Sequence, residues 1–369
     1  MDGVIRPIPV PERLGTPESA EFEAFAALAE ALEVEVYGDA ELSYGADELL
    51  VFYGDQRYTA RRAFGAWEGD HLVGVASVFW ELDPGATVAF SATLGVRRDR
   101  RREGIGRSLL AALEAALRAE GRTALALLAD HRIEPGPPAV AASAGRLRAP
   151  QGEASIPADD PAARFAIAHG YVLGQLDRVS AMPVSGRAAE FRERLARQEA
   201  SSPGYRLRTW LDRTPDDLID ALARARERMS VDAPSGGISF EPEQWDAERI
   251  RAAEAEQRAA GRTAVITAAV DAAGDVAGYT QLTLAPRKAV AYQDDTLVLA
   301  AHRGHGLGLR MKLANLLALI DADPSRVRVV TWNADENAHM LAINLALGFE
   351  PIAIESAWQR TLSGPRDAS

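Results

Sequence analysis

The chain has 369 residues, 47% of them hydrophobic and 25% charged, the composition of a folded protein rather than a disordered one. That length exceeds what one hydrophobic core usually fills, so two domains are expected. The net charge of −12, from 41 Lys and Arg against 53 Asp and Glu, repels nucleic acid and anionic membrane surfaces and attracts cations, and the absence of cysteine removes disulfides, thiolate metal sites and a cysteine nucleophile.

The first residues carry Pro7, Pro9 and Pro11 and no long apolar run, so no signal peptide is expected. No stretch reaches the ~20 apolar residues of a membrane span, and a cytoplasmic protein is expected. Apolar patterning then predicts a strand at 4–8, a helix at 18–32 and strands at 63–67, 72–81 and 87–96. In the next helix Ile105, Leu109, Leu110, Leu113 and Leu117 recur at helical spacing as one buried stripe, and a strand at 123–128 follows Gly121. The run from Pro135 to Pro138 and its small-residue continuation reads as a mobile loop before helix resumes near Pro161. A charged helical stretch at 187–200 is broken by Ser201, Ser202, Pro203 and Gly204.

The second half repeats this plan. It has a strand at 205–209, helices at 215–229 and 242–260, and strands at 263–270, 276–284 and 290–300. A helix with Leu309, Leu313, Leu316, Leu317 and Ile320 on one side follows, then a strand at 327–332 and a helix at 336–347 stopped by Gly348. The fold class is α/β with a mixed sheet in each half, and the expected domains are 1–182 and 204–369 joined by a helical linker at 183–203.

One pattern, Arg-x-x-Gly-x-Gly, occurs in both halves: Arg101, Arg102, Glu103, Gly104, Ile105, Gly106, and Arg303, Gly304, His305, Gly306, Leu307, Gly308. The copies are 303 − 101 = 202 residues apart, a domain-length period. Each follows a strand and opens a helix. Glycines admit close approach of a ligand to the backbone, the first amides of a helix have no internal partner, and the helix dipole adds positive charge, so the turn suits a pyrophosphate. The bland alternative is a tight turn. The basic cluster Arg97, Arg98, Arg100, Arg101 and Arg102 reads either as a solvated loop or as phosphate contacts, and His302 with His305 lacks a third ligand, so no metal is expected.

These residues resemble the GCN5-related N-acetyltransferase superfamily, in which such a loop holds the pyrophosphate of acetyl-CoA. The second copy carries more of the pattern. Val298, His302, Arg303, Gly304, Gly306 and Gly308 are followed by Thr331, Trp332, Asn333, Asn337, Met340, Asn344, Leu347, Gly348 and Phe349, which look like the family's last strand, helix and closing Gly-Phe. In architecture the chain is similar to the tandem acetyltransferases of actinobacteria, mycothiol synthase among them. The resemblance implies two tandem acyl-CoA N-acyltransferase (GNAT) domains, each a twisted mixed sheet flanked by helices, with acetyl-CoA as donor and no metal. It places the pyrophosphate at Val96, Arg101, Arg102, Gly104, Ile105 and Gly106 in the first half and at Arg303, Gly304, His305, Gly306, Leu307 and Gly308 in the second. The pantetheine arm would lie on the backbone of Val298, Leu299 and Ala300, with Asn333 and Asn337 flanking the opening.

An amine that attacks a thioester must first lose its ammonium proton, so a base is needed. Members of this fold commonly place a carboxylate on the fourth strand, where this chain has Tyr292, Gln293, Asp294 and Asp295. Without a bulge, period-two alternation puts Tyr292, Asp294 and Thr296 on one face, with Val298 following. Asp294 is the first choice as base and Asp295 the alternative; the bland reading of Asp294 is an exposed acid at a strand bend. The matching Phe90, Ser91, Ala92, Thr93 and Leu94 hold no carboxylate, so the working centre is expected in the second half and the first half is expected to be degenerate. Counting back from Gly348 and from Gly170, the family's acid tyrosine is replaced by Asn344 and Ala166, which leaves Tyr292 as donor or a thiolate departing unassisted. Asp232, Glu241 and Glu243, around the loop at 233–237, would favour a cationic amine, or belong to an ordinary loop. The expected activity is direct acetyl transfer to a primary amine of a small molecule; the rival is a non-catalytic acyl-CoA sensor or docking module. Donor chain length, oligomeric state and the acceptor stay open, the last among antibiotic amine, amino sugar, polyamine, amino acid and protein terminus.

Overall fold

The computed structural model describes residues 4–133, 145–199, 204–232, 235–239 and 241–362. The loop expected from Pro135 to Pro138, and the break at Ser201 to Pro203, lie outside the described residues. Two compact units form: Met1–Asp177 with Ser235–Glu241 and Ile354–Ser369, and Arg178–Pro234 with Pro242–Ala353.

The first unit runs β1 (Val4–Pro7), α1 (Ala20–Tyr37), α2 (Ala46–Gly54), β2 (Thr59–Glu68), β3 (His71–Glu81), β4 (Val88–Val96), α3 (Ile105–Ala119), β5 (Ala124–Arg132), β6 (Arg146–Leu147), β7 (Ile156–Pro157), α4 (Pro161–Ala168) and the start of β8 (Val172–Pro183). Strands β1 to β5 neighbour one another in chain order, antiparallel except for the β4–β5 pair. Helix α3 buries Leu109, Leu110, Leu113 and Leu117 against this sheet, as the stripe predicts. The nine-residue α2 is not among the expected elements, because so short an apolar run has no period that separates helix from strand.

Two distant segments complete this unit. The end of the chain lies along β5, where the Leu362 amide donates to the Thr123 carbonyl (2.7 Å) and the Ser356 hydroxyl to the Ala129 carbonyl (3.1 Å). Trp358 and Leu362 join the core of α3. From the segment Ser235–Glu241, the Glu241 carboxylate accepts hydrogen bonds from the Thr87 amide (2.6 Å), the Thr87 hydroxyl (2.8 Å) and the Val88 amide (3.1 Å), fixing the start of β4.

The second unit takes the rest of β8, then α5 (Ala188–Glu199), β9 (Arg206–Leu211), α6 (Ile219–Asp232), α7 (Ala247–Ala259), β10 (Thr263–Val270), β11 (Val276–Leu284), β12 (Val290–Val298), α8 (Leu307–Ala322), β13 (Arg328–Ala334), α9 (Ala338–Leu347) and β14 (Glu350–Thr361), which passes to the first unit at Ile354. The sheet order is β13-β12-β11-β10-β9, with β12–β13 parallel. Helix α5, expected as a linker, packs on α8 and contributes Phe191 and Leu195 to one core cluster.

Helix α8 therefore has more than one covered face. Leu313 and Leu316 are buried as expected, Leu309, Leu317 and Ile320 are half-buried, and Leu307, Met311 and Leu319 are buried as well. A helix that is apolar around most of its girth has to be covered on more than one side. Its polar residues inside are Arg310, Lys312 and Asn315. Asn315 donates to the Val265 carbonyl (3.1 Å) and accepts from the Thr267 hydroxyl (3.0 Å). Lys312 is 1% exposed, and burial pushes its amine down from 10.5 to about 7.

Because the folded state holds Lys312 below its unfolded pKa, the burden on stability is full below about pH 7 and is relieved as pH rises toward 10.5. Urea unfolding at pH 7, 8 and 9 is expected to show wild-type stability rising by up to about 1.4 kcal/mol per pH unit relative to Lys312→Met. Parallel profiles for the two proteins would show that this amine stays charged in the fold.

Candidate functional site

The two glycine turns repeat in backbone detail. Gly104 caps α3 at φ 84° and Gly306 caps α8 at φ 68°, and the residue after each arginine also lies in the left-handed region, Gly304 at φ 83° and Arg102 at φ 70°. Glycine adopts that torsion without cost, whereas Arg102 does not. Arg101 Nε donates to the Val96 carbonyl (2.9 Å) and Arg303 Nε to the Val298 carbonyl (3.1 Å), so each arginine ties its turn to the strand before it. The amides of Ile105, Gly106 and Arg107, and of Leu307, Gly308 and Leu309, precede the first helical acceptors and have no partner within their helices.

The turns differ in charge and access. In the first, Arg97 pairs with Asp99, Arg100 with Glu68 and Glu103, and Arg101 with Glu35. Arg98, Arg102 and Arg107 are exposed and form no ion pair among the described residues. In the second, Arg303 pairs with Asp232 (3.0 Å), His302 Nδ1 bonds the Tyr205 hydroxyl (3.0 Å), and Gln198 Oε1 lies 3.4 Å from the position a Gly306 side chain would take. His305 Nδ1 lies against the carbonyls of His302 and Arg303, and no His, Cys, Asp or Glu cluster suited to a metal occurs among the described residues. Gly106 and Gly308 occupy matching places, the first backed by Phe165 of α4 and the second by Ile343 of α9.

Beside each turn a parallel pair parts. β4 pairs with β5 from Val88–Ala124 only as far as Phe90–Ala126, and β12 with β13 from Val290–Arg328 only as far as Gln293–Thr331. Beyond those points the strands have no ladder between them. Of the backbone expected to hold a pantetheine arm, the Val298 carbonyl is taken by Arg303, the Leu299 amide by the Ala277 carbonyl (3.0 Å) and the Leu299 carbonyl by the His302 amide (2.8 Å).

A bulge changes the expected faces of β12. Thr280 lies opposite Thr296 but Leu282 opposite Gln293, so Gln281 faces both Asp294 and Asp295. Alternation is therefore broken. Thr296 turns to the face of Thr280, hydroxyl to hydroxyl at 2.7 Å, and Val298 packs toward α8 with Leu307 and Met311. Both acids keep company with Tyr292 on the opposite face. Asp294 Oδ2 accepts from the Thr283 hydroxyl (2.5 Å) and Gln281 Nε2 (3.1 Å), and Asp295 Oδ2 from the Tyr279 hydroxyl (2.9 Å). Gln293, buried on the other face, donates to the Gln281 carbonyl (2.7 Å) and pins the bulge.

Asp294 is exposed yet flanked by Thr283, Gln281 and Asp295, and desolvation raises its carboxyl to about 6 against the pull of Thr283 and Gln281, with Asp295 pushing it further up. Tyr292 lies between Trp332, at a ring separation of 6.4 Å, and the Arg262 guanidinium, 5.6 Å from its ring. Gln281, Thr283 and Arg262 escape sequence reasoning, since nothing in their spacing ties them to Asp294.

Other expected contacts are engaged within the protein. Asn337 caps α9 by accepting from the Met340 amide (3.2 Å), and Asn333 Oδ1 accepts from Asn344 Nδ2 (2.5 Å). The buried Asn344 leaves no acid at the tyrosine position. The acids expected to attract a cationic amine are also in use: Asp232 pairs with Arg228 and Arg303, Glu243 with the Trp245 indole and Arg249, and Glu241 with the start of β4.

A different acidic group appears in the first unit. Asp130 of β5, Glu355 of the chain's last strand and Asp177 of β8 lie on adjacent strands, with Glu33 and Tyr37 of α1 against them. No sequence signal marks them, because the strands that align them meet from opposite ends of the chain.

Residues 25–141 match the acetyltransferase (GNAT) family, a segment within the first unit. Among solved structures, a tandem GNAT protein from the clavulanic acid biosynthesis pathway aligns over 99% of both chains at 26% identity and TM-score 0.71. A GCN5-related N-acetyltransferase from Sphaerobacter thermophilus aligns over 98% of this chain and 96% of its own at 15% identity and TM-score 0.58, a likeness of fold. Among curated proteins, none matches the sequence. Two repeated turns, two parted strand pairs and these alignments agree: residues 25–141 carry the pattern of the GNAT acetyltransferase family, and the chain as a whole has the fold of a tandem GNAT protein.

Proposed function

We propose that the chain is an acetyl-CoA-dependent N-acetyltransferase that moves the acetyl group directly to a primary amine of a small molecule, with Asp294 of the second unit as the base. The observation that carries this is the bulge, which sets an accessible carboxyl of pKa about 6 beside the gap between β12 and β13. Acetyl-CoA would place its diphosphate at the free amides of the turn at Arg303 to Gly308 and its arm in that gap, where the strands leave ladder positions open. Asp294, ionised above pH 6, takes a proton from the substrate ammonium; the neutral amine attacks the thioester carbon; the C–N bond forms as the C–S bond breaks. The thiolate leaves and takes its proton from solvent, since Asn344 cannot supply one. Of the resemblance to mycothiol synthase, architecture alone enters this proposal.

A second reading places the transfer in the first unit. It is favoured by the exposed Arg98, Arg102 and Arg107 beside the more open turn, and by the family match at 25–141.

Free-CoA release across a panel of amines is expected to give a kcat/KM that climbs as pH rises through about 6, and Asp294→Asn is expected to lose that limb and roughly 10²–10⁴-fold in rate. An unchanged profile in Asp294→Asn, and in the double variant with Asp295→Asn, removes the base assignment. Gly308→Val and Gly106→Val separate the units: loss of turnover confined to the former supports the second unit, and loss confined to the latter supports the first. Acetyl-CoA binding by calorimetry with no turnover on any amine would instead favour an acyl-CoA sensor.

A further inference from the structure

The groups that donate to Asp294 are themselves tied to a residue of another element. Arg226 of α6 donates from Nη2 to Gln281 Oε1 (2.6 Å). Gln281 Nε2 donates to Asp294 Oδ2 (3.1 Å) and more weakly to the Thr283 hydroxyl (3.4 Å), and that hydroxyl donates to the same Asp294 oxygen (2.5 Å). A guanidinium has only donors and an ionised carboxylate only acceptors, so the amide between them has one permitted orientation. Its carbonyl faces Arg226 and its NH₂ faces Asp294. Every bond in this chain carries its proton toward the carboxylate, which favours the ionised form.

Arg226 is held in place by aromatic rings. Its guanidinium lies 4.9 Å from the Trp245 ring and 5.7 Å from the ring of Tyr279, which is buried and donates its hydroxyl to Asp295 (2.9 Å). Its Nε is shut from solvent with no hydrogen-bond partner among the described residues. A direct ion pair with Asp294 would hold that carboxyl low and make it a weak base. The intervening amide passes on orientation without neutralising the acid. Desolvation is the main reason that Asp294 titrates near 6; of its charged neighbours, Asp295 pushes it up and Arg262 pulls it down. Glu243 bears on Tyr279, and α8 covers the other face of the sheet together with Val298.

We propose that Arg226 and Gln281 are positioning residues of the second unit that hold Asp294 as a proton acceptor, Arg226 acting through the fixed amide of Gln281 and not on the substrate. The catalytic meaning of this chain rests on the reading of Asp294 as the base. The chain itself is tested without substrate, by the titration of the carboxyl.

Full-length protein labelled with ¹³C at its aspartate carboxyls reports that titration by NMR, the Asp294 resonance being the one lost in Asp294→Asn. Arg226→Met is expected to raise it by about one pH unit, the scale of a lost hydrogen bond to a charged group, and Gln281→Met by a similar amount. Because the two act in series, adding Arg226→Met to Gln281→Met is expected to move it by less than about 0.3 unit further. Arg224→Met, which removes an exposed arginine of the same helix paired with Asp275, is expected to leave it unchanged. In turnover the acid limb of kcat/KM should move with the carboxyl, so that Arg226→Met loses about tenfold near pH 5 and comes within about twofold of wild type at pH 8. A merely structural defect would cost the same at both. Should Arg226→Met fail to fold, Gln281→Met and Gln281→Glu carry the test, the glutamate raising the titration furthest because it faces Asp294 with a second carboxylate. A shifted titration with an unmoved rate profile supports the chain and removes Asp294 as the base. A titration within about 0.3 unit of wild type in both single variants, or fully additive shifts in the double variant, would overturn the proposal.

Discussion

Each unit depends on a parallel strand pair that stops pairing part of the way along. The β4–β5 ladder has three residue pairs and the β12–β13 ladder four, after which the backbone groups facing the gap have no strand across from them. Buried amides and carbonyls must find partners, so a gap of this kind persists only where water, side chains or an extended ligand supplies them. A bulge lies just beyond the end of pairing in both units, between Ser77 and Val78 on one side and Thr280 and Leu282 on the other. By adding one residue to the strand it raises local twist and bends β4 and β12 away from their parallel neighbours. The glycine turn follows at the far end of the same strand, which is why the gap and a set of free helix amides occur side by side.

The same bulge decides which side chains face the gap. In β4 it presents Ala92 and Thr93, neither of which titrates; in β12 it presents two carboxylates on one face. Their surroundings differ. Asp294, held by neutral donors and pushed by its neighbour, titrates near 6, while Asp295 is bonded to the buried phenol of Tyr279. Pairs of acids with unequal surroundings are the arrangement from which proton transfer near neutral pH is built.

Charge is distributed unevenly between the units. In the second, the acids near the turn and along the α6–α7 connection are matched by arginines or an indole, which leaves Asp294 as the accessible carboxyl of that cleft. In the first, three arginines at the turn and a set of carboxylates at β5 and β14 have not been spent on each other.

Much of this was legible residue by residue. The torsions of Gly104, Gly304 and Gly306 and the strands Thr263–Val270 and Val276–Leu284 follow from local rules, because glycine torsions, helix starts and period-two burial are set by neighbours in the chain. The bulge at Asp294 was not legible, since an alternating pattern does not record where a partner strand skips a residue. Nor was the covering of α8 by α5, which made its single apolar stripe too narrow. By itself the sequence determined the doubled strand, glycine turn and helix. Tertiary structure alone decided which carboxylates are free to act, because Glu241 is consumed by Thr87 and Glu355 is set against Asp130 through contacts more than 150 residues apart in the chain, and a charge is defined by the partner it meets.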